Sequence, residues 1–292
     1  MAFNWNTFRT RALTAIIFAG VMVAGLLWNQ WSFFVLFSII HFGCWIEYQE
    51  LVSKIDPGYQ EITPFHRYGV MIGGWCLMLW FSHTLHFFGI GIHELGWWVG
   101  LIVAFMLPVC ELLFAKNIRL KNIGHSFFGL IYISLAWGLM MDLYRIRDVQ
   151  VGDSFYPIDA RIIPIIIVAA IWINDTMAYI VGSLIGKHPL SKISPKKTWE
   201  GTIGGMILAI VVSGLISYYL LDYGVLTIHI AVIATIASIF GTLGDLLESK
   251  LKRLAGVKDS GSFMPGHGGF LDRFDSLLLA TPFVWLYVNI VM

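Results

Sequence analysis

The sequence is 292 residues long, 58% hydrophobic and only 13% charged, with a mean hydropathy of +0.75. Soluble domains carry about 25% charged residues, so half that level excludes a water-covered globule, a disordered chain and a collagen-like fibre. A net charge of +1 gives no argument for a nucleic-acid partner, and the three cysteines, Cys44, Cys76 and Cys110, are too scattered for a disulfide framework and read as small buried hydrophobes.

A helix needs about 20 apolar residues to cross a bilayer. The apolar runs in chain order are 12–28, 31–46, 68–90, 96–114, 124–143, 161–184, 203–221, 225–246 and 276–292. They are continuous rather than alternating, which favours helices over strands. The first run follows Arg9 and Arg11, as in a signal peptide. It ends, however, in Trp28-Asn29-Gln30-Trp31 instead of a small-residue cleavage site, and a second span follows at once. The expected fold is all-α: an integral membrane protein of about nine transmembrane helices. No internal repeat or low-complexity linker divides it, so residues 1–292 read as one domain.

Lys and Arg concentrate in alternate loops. Sixteen lie in the N-terminus and the loops 47–67, 115–123, 185–202 and 247–275; the opposite side holds only Arg145, Arg147 and Arg161. This bias predicts a cytoplasmic N-terminus. Within the sixth span stands Asp175, and Asp245 ends the eighth, both toward the basic side. An acid in mid-helix costs about 2.5–3.5 kcal/mol on insertion scales, so it is paired, hydrated or functional. For Asp175 the alternative to function is an interhelical hydrogen bond. Asp142, at the external end of the fifth span, and Glu111 read as hydrated acids near a membrane surface.

Two basic loops carry unusual sequence. The first is Ser191-Lys192-Ile193-Ser194-Pro195-Lys196-Lys197-Thr198-Trp199-Glu200-Gly201; the second runs from Gly244-Asp245 to Asp275. Asp245, Glu248, Ser249 and Lys252 are spaced i, i+3, i+4, i+7, one face of a helix. Asp272 and Asp275 are i, i+3 at the start of the last span. The turn Gly266-His267-Gly268-Gly269 exposes backbone N–H groups to an anion. Carboxylates, lysines and bare amides together suit a Mg²⁺–polyphosphate complex. Zinc spacing, a Gly-x-Ser-x-Gly elbow and a P-loop are all absent from the sequence.

The stretch Ser249 to Asp275 resembles the signature of the CDP-diacylglycerol synthase (phosphatidate cytidylyltransferase) family, bacterial type: Ser249, Lys252 and Arg253, then Lys258-Asp259, Pro265-x-His267-Gly268-Gly269 and Asp272-Arg273-x-Asp275. The run Ser194–Gly201 and Asp175-Thr176-x-Ala178-Tyr179 also resemble family segments, so the likeness covers roughly residues 170–280. Met264 stands where the family usually has Leu, Ile or Phe, and Asn174 where a small residue is common.

The resemblance implies that CTP and phosphatidic acid give CDP-diacylglycerol and pyrophosphate, in a homodimer of the bacterial cytoplasmic (inner) membrane whose active site faces the cytoplasm. Residues 161–292 would form the catalytic core and 1–160 a set of N-terminal spans for dimerisation or lipid contact. It implies Mg²⁺ (or Mn²⁺) at Asp245 and Asp272, with Glu248 and Asp275 as further candidate ligands and a monovalent cation such as K⁺ nearby. On this reading Lys196, Lys197, Lys258, Arg273 and Asp175 serve the reaction. Ser194, Thr198, Ser249, Lys252, Arg253, Gly266, His267, Gly268 and Gly269 bind substrate. The competing readings are a related CTP-dependent transferase acting on another lipid phosphate and a cation- or proton-coupled transporter.

Overall fold

The computed structural model describes residues 5–115, 117–151, 154–219, 224–263 and 268–292. Most of them are helical. The helices are α1 (Trp5–Leu27), α2 (Gln30–Ile55), α3 (Pro64–Trp80), α4 (Ile92–Phe114), α5 (Leu120–Leu143), α6 (Ile162–Ile185), α7 (Trp199–Tyr219), α8 (Thr227–Leu254) and α9 (Leu271–Val291). Two antiparallel hairpins interrupt them: β1 (His86–Phe87) with β2 (Ile90–Gly91), and β3 (Asp148–Val151) with β4 (Ser154–Pro157). Among the described residues seven helices, α2 and α4 to α9, are long and apolar enough to cross a membrane.

Helix boundaries follow local chemistry. Asn29 caps α2 by accepting from Ser32 N–H at 2.9 Å, and Thr63 caps α3 by accepting from His66 N–H at 3.0 Å, with Pro64 at the first helical position. Helix α8 stops at Gly256, whose φ of +70° suits glycine alone. The second apolar run, expected to end at residue 46, continues as helix to Ile55. Cys44, Glu47, Tyr48, Leu51 and Val52 keep helical spacing on a buried face, so the polar letters after residue 46 mark amphipathicity rather than a loop.

The chain forms two compact units, Met1–Asp142 with Leu251–Phe274, and Leu143–Lys250 with Asp275–Met292. The first has an aromatic core: Phe37 and Trp137 rings lie 5.0 Å apart, and Trp137 meets Phe274 edge-on at 5.8 Å. Cys44 and Cys76 are buried in it as free thiols. Helices α3 and α4 meet along small residues; a Cβ on Gly96 would lie 2.6 Å from Leu79 Cβ, and one on Gly100 3.2 Å from Cys76 Cβ. Close approach of this kind replaces the hydrophobic drive that lipid removes. Helix α5 widens into a π turn at Leu130–Leu135, where Ser134 Oγ accepts from Trp45 Nε1 at 2.8 Å and lies 3.0 Å from His41 Nε2. Glu111 is tied in rather than hydrated: Thr63 Oγ1 donates to it at 2.7 Å and His66 Nδ1 stands 3.2 Å away.

The second unit packs α6 against α7 along another glycine seam. A Cβ on Gly201 would lie 2.6 Å from the Ala178 carbonyl oxygen, and one on Gly205 2.6 Å from that of Asn174. Phe240 of α8 stacks on Phe283 of α9 at 3.6 Å.

Candidate active site

Each unit holds one cluster of the residues singled out above. In the second unit, the basic run between α6 and α7 is a closed hairpin. Leu190 N–H donates to Lys197 O at 2.7 Å, Trp199 N–H to His188 O at 2.9 Å, and Lys197 N–H to Ser194 O at 3.1 Å. Glu200 fixes its entry, accepting from the backbone N–H groups of Lys187 and His188 at 3.1 and 3.2 Å, with His188 Nδ1 at 2.5 Å. Thr198 caps α7, its Oγ1 accepting from Gly201 N–H at 3.2 Å.

Held this way, Lys197 forms an ion pair with Asp245, the two side chains 29% and 27% exposed. Ser249 Oγ donates to Asp245 Oδ1 at 3.2 Å, so the i, i+4 spacing of this pair on α8 has the consequence expected of it. Beside Asp175, its neighbour makes an interhelical bond. Asn174 Nδ2 reaches Thr242 Oγ1 of α8 at 3.5 Å and Asp175 Oδ1 at 3.4 Å, while Asp175 itself is exposed. A Cβ on Gly244 would stand 2.5 Å from the Asp275 carbonyl oxygen, so α8 and α9 touch backbone to backbone there. Asp275 and Glu248 are buried.

In the first unit the cluster centres on Asp272, in the first turn of α9. Lys252 Nζ donates to Oδ1 at 2.6 Å. Oδ2 accepts from Ser260 N–H at 2.8 Å and Gly269 N–H at 2.9 Å, and Ser260 Oγ lies 2.9 Å away. Gly268, at φ +84°, lets the turn close on this carboxylate; a Cβ there would lie 2.5 Å from Oδ2. Charge-assisted bonds of this type contribute about 1.5–3 kcal/mol each, so the turn and the acid hold one another in place. Lys196, Arg253, Lys258 and Arg273 stand exposed. Gly266 and His267 lie outside the described residues.

Three residues that sequence reasoning passed over complete the clusters. Glu200 and Ser260 have just been placed. The third is Glu47 of α2, 6% exposed, which accepts from Phe270 N–H at 2.8 Å, Leu271 N–H at 2.9 Å and Ser260 Oγ at 2.7 Å. Its signal was available in the helical spacing from Cys44 to Val52, which places a carboxylate on an otherwise apolar, buried face.

The donors suit a hard cation. Asp245 and Asp272 offer carboxylate oxygens, and each already holds an ammonium group. Among the described residues no group of three or more His, Cys, Asp or Glu side chains gathers into a protein cage. Taken separately, each of these carboxylates suits an ion such as Mg²⁺, which keeps water and takes substrate phosphate beside one or two protein carboxylates.

Comparison with known proteins shows the family. The profile of the Cytidylyltransferase family matches residues 9–291. A protein of Staphylococcus haemolyticus (strain JCSC1435) named phosphatidate cytidylyltransferase is 41% identical over 192 residues, covering 62% of this chain and 74% of that protein. The Staphylococcus aureus (strain COL) protein of the same name is 40% identical over 195 residues, 63% of this chain and 74% of that protein. The Bacillus subtilis (strain 168) protein of that name is 34% identical over 191 residues, 64% of this chain and 66% of that protein. With seven membrane-length apolar helices among the described residues and bacterial relatives, the chain is an integral membrane protein.

Proposed function

The chain belongs to the Cytidylyltransferase family and is a nucleotidyltransferase, and from that premise we propose that it makes CDP-diacylglycerol and pyrophosphate from CTP and phosphatidic acid. The observation that carries this reading is the closure of the signature on Asp272, to which Lys252, Ser260 and Gly269 all donate. Such a turn presents a fixed carboxylate, an ammonium group and glycine backbone to a phosphorylated ligand.

The nucleophile is a phosphate monoester, largely dianionic near neutral pH because its second pKa is about 6. It needs no general base. A phosphatidate oxygen attacks the α-phosphorus of CTP; the new P–O bond forms as the bond from the α-phosphorus to the bridging oxygen breaks, and that oxygen's electron pair leaves with pyrophosphate. The obstacle is the meeting of two anions, so the protein's work is positioning and charge neutralisation.

In this reading Mg²⁺ is held by Asp245 and Asp272, and when bound it neutralises triphosphate charge. Lys197, fixed by its hairpin, and Lys196 hold phosphate oxygens, with Ser194 and Thr198 as donors. Lys258 and Arg273 neutralise the departing pyrophosphate. Asp175, Glu248 and Asp275 orient these groups. The acyl chains stay in the bilayer, which accounts for an enzyme built from apolar helices. The same reading includes a cytoplasmic N-terminus and active site, about nine spans in the bacterial inner membrane, a K⁺ ion and a homodimer; the asymmetry of Lys and Arg along the chain supports the orientation.

The test is purified protein with CTP, phosphatidic acid and Mg²⁺, the lipid product identified by mass. CDP-diacylglycerol and one pyrophosphate per turnover are expected, with turnover abolished by EDTA and restored by Mg²⁺. Product formed only from another lipid phosphate, or turnover that resists EDTA, would overturn the substrate or the metal assignment respectively.

A further inference from the structure

We propose that Glu47, from the N-terminal half of the chain, is a positioning residue for nucleotidyl transfer: it anchors the start of α9 so that Asp272 faces its ligand. The inference rests on the reading of Asp272 as a cation-binding acid. Glu47 lies in α2, more than 200 residues before the signature in sequence, where the N-terminal spans otherwise have no part in the chemistry.

The geometry is specific. A buried carboxylate needs its charge compensated by hydrogen bonds. Glu47 takes three bonds from the described part of the signature loop: Phe270 N–H, Leu271 N–H and Ser260 Oγ–H. The first two are donors at the start of α9 that have no partner inside that helix, so Glu47 caps α9 from another helix and places negative charge at the favourable end of its dipole. Asp272 follows directly. Two glycines admit the carboxylate: a Cβ on Gly261 would lie 2.3 Å, and one on Gly269 2.2 Å, from Glu47 Oε1. One turn earlier on α2, Gly43 receives the Phe270 ring, 2.4 Å from where a Cβ would be.

Ser260 links the two acids. Its hydroxyl stands 2.7 Å from Glu47 Oε2 and 2.9 Å from Asp272 Oδ2, and accepts from Asp272 N–H at 3.2 Å. A hydroxyl has one proton to give. With Glu47 present, that proton is drawn to the nearer carboxylate, and Asp272 keeps more of its electron density for a cation. Without Glu47 the proton passes to Asp272, and the loop loses its two backbone tethers.

The experiment compares wild type, Glu47→Gln, Glu47→Asp and the control Glu50→Gln, an exposed residue of the same helix. Three readouts are taken: backbone hydrogen exchange across residues 257–275, Mn²⁺ half-saturation from the bound-ion EPR signal with CTP present, and kcat and KM for phosphatidic acid. For Glu47→Gln the expected result is faster exchange at Phe270 and Leu271 and unchanged exchange in α3 to α5. The Mn²⁺ half-saturation should rise about tenfold, the equivalent of one charge-assisted hydrogen bond, kcat should fall by a similar factor, and KM should stay within about twofold. Glu47→Asp should recover part of kcat, and Glu50→Gln should match wild type. Unchanged exchange at Phe270 and Leu271 overturns the proposal. So does faster exchange with normal kcat and Mn²⁺ half-saturation, or collapse of exchange protection throughout the protein in both Glu47 variants. Absence of any wild-type turnover would instead sink the proposed reaction, so the two failures are told apart.

Discussion

Asp245 and Asp272 have the same proposed duty but different surroundings, and the difference predicts unequal stability losses for Asp245→Asn and Asp272→Asn. In Asp272→Asn the amide oxygen can keep the Oδ2 position, accepting from Ser260 and Gly269. The amide NH₂ then faces Lys252 Nζ, which donated to Oδ1 at 2.6 Å. A charge-assisted bond is lost, about 1.5–3 kcal/mol, and the Lys252–Asp272 ion pair is broken where the two side chains are only 13% and 7% exposed. Breaking a fully buried pair costs about 3–5 kcal/mol. The lysine stem can carry its ammonium toward water, which brings the expected loss to about 2–3 kcal/mol. The Lys197–Asp245 pair is more open, at 29% and 27% exposure, and belongs near the upper end of exposed pairs, about 1 kcal/mol. Denaturant unfolding of detergent-purified variants in EDTA measures both, and labelled-CTP turnover with Mg²⁺ measures function. Asp272→Asn should be the less stable variant by more than 1 kcal/mol, and both should be inactive while folded. Equal stability losses would refute the burial argument, and near-normal turnover of either variant would remove that acid from the cation site.

Lys197→Ala should lose turnover by more than about tenfold, the scale of one lost charge-assisted contact, whereas exposed Lys192→Ala should stay near wild type; equal effects would mean that the basic run acts only in topology. Gly201→Ala should destabilise by about 1–3 kcal/mol, because its Cβ would stand 2.6 Å from the Ala178 carbonyl oxygen. Gly20→Ala in α1 meets nothing within 4 Å and should be neutral or gain about 0.5–1 kcal/mol; unfolding midpoints of the two decide. Outside the spans, the hydrogen bond from Arg161 holds the Asp159 carboxyl down to about 2, from an ordinary 3.8, against an opposing contribution from burial. A depressed acid contributes stability that is complete above its unfolded pKa and is lost as pH falls through the folded value. The stability gap between wild type and Asp159→Asn should therefore be level above about pH 5 and close between about pH 4 and 2; a gap that widens on acidification contradicts this.

Apolar run length located most helices, because a membrane span must satisfy its own backbone and so leaves a continuous hydrophobic trace. The trace was least informative where a helix leaves the apolar zone. The continuation of α2 to Ile55 and of α8 to Leu254 is written in amphipathic spacing rather than in hydropathy. Local spacing likewise anticipated Ser249 beside Asp245 on α8. It did not anticipate that Lys252 belongs to Asp272, twenty residues away, because that pairing depends on the turn at Gly256 and the glycine-lined return of the chain. The spacing from Cys44 to Val52 marks Glu47 as a carboxylate on a buried face, but not what holds it, because its partners Ser260, Phe270 and Leu271 lie over 200 residues away. At this depth of α6 the sequence suggested an interhelical bond, and Asn174, beside Asp175, makes one to Thr242.

In the proposed reaction Asp245 and Asp272 bind the divalent cation that accompanies the nucleotide. Titrating Mn²⁺ into wild type, Asp245→Asn and Asp272→Asn with CTP present, and counting bound ion by EPR, tests it most directly. Wild type should bind saturably, with half-saturation raised at least about tenfold in each variant, the loss of one charged ligand. Wild-type affinity in either variant, both still folded, would contradict it.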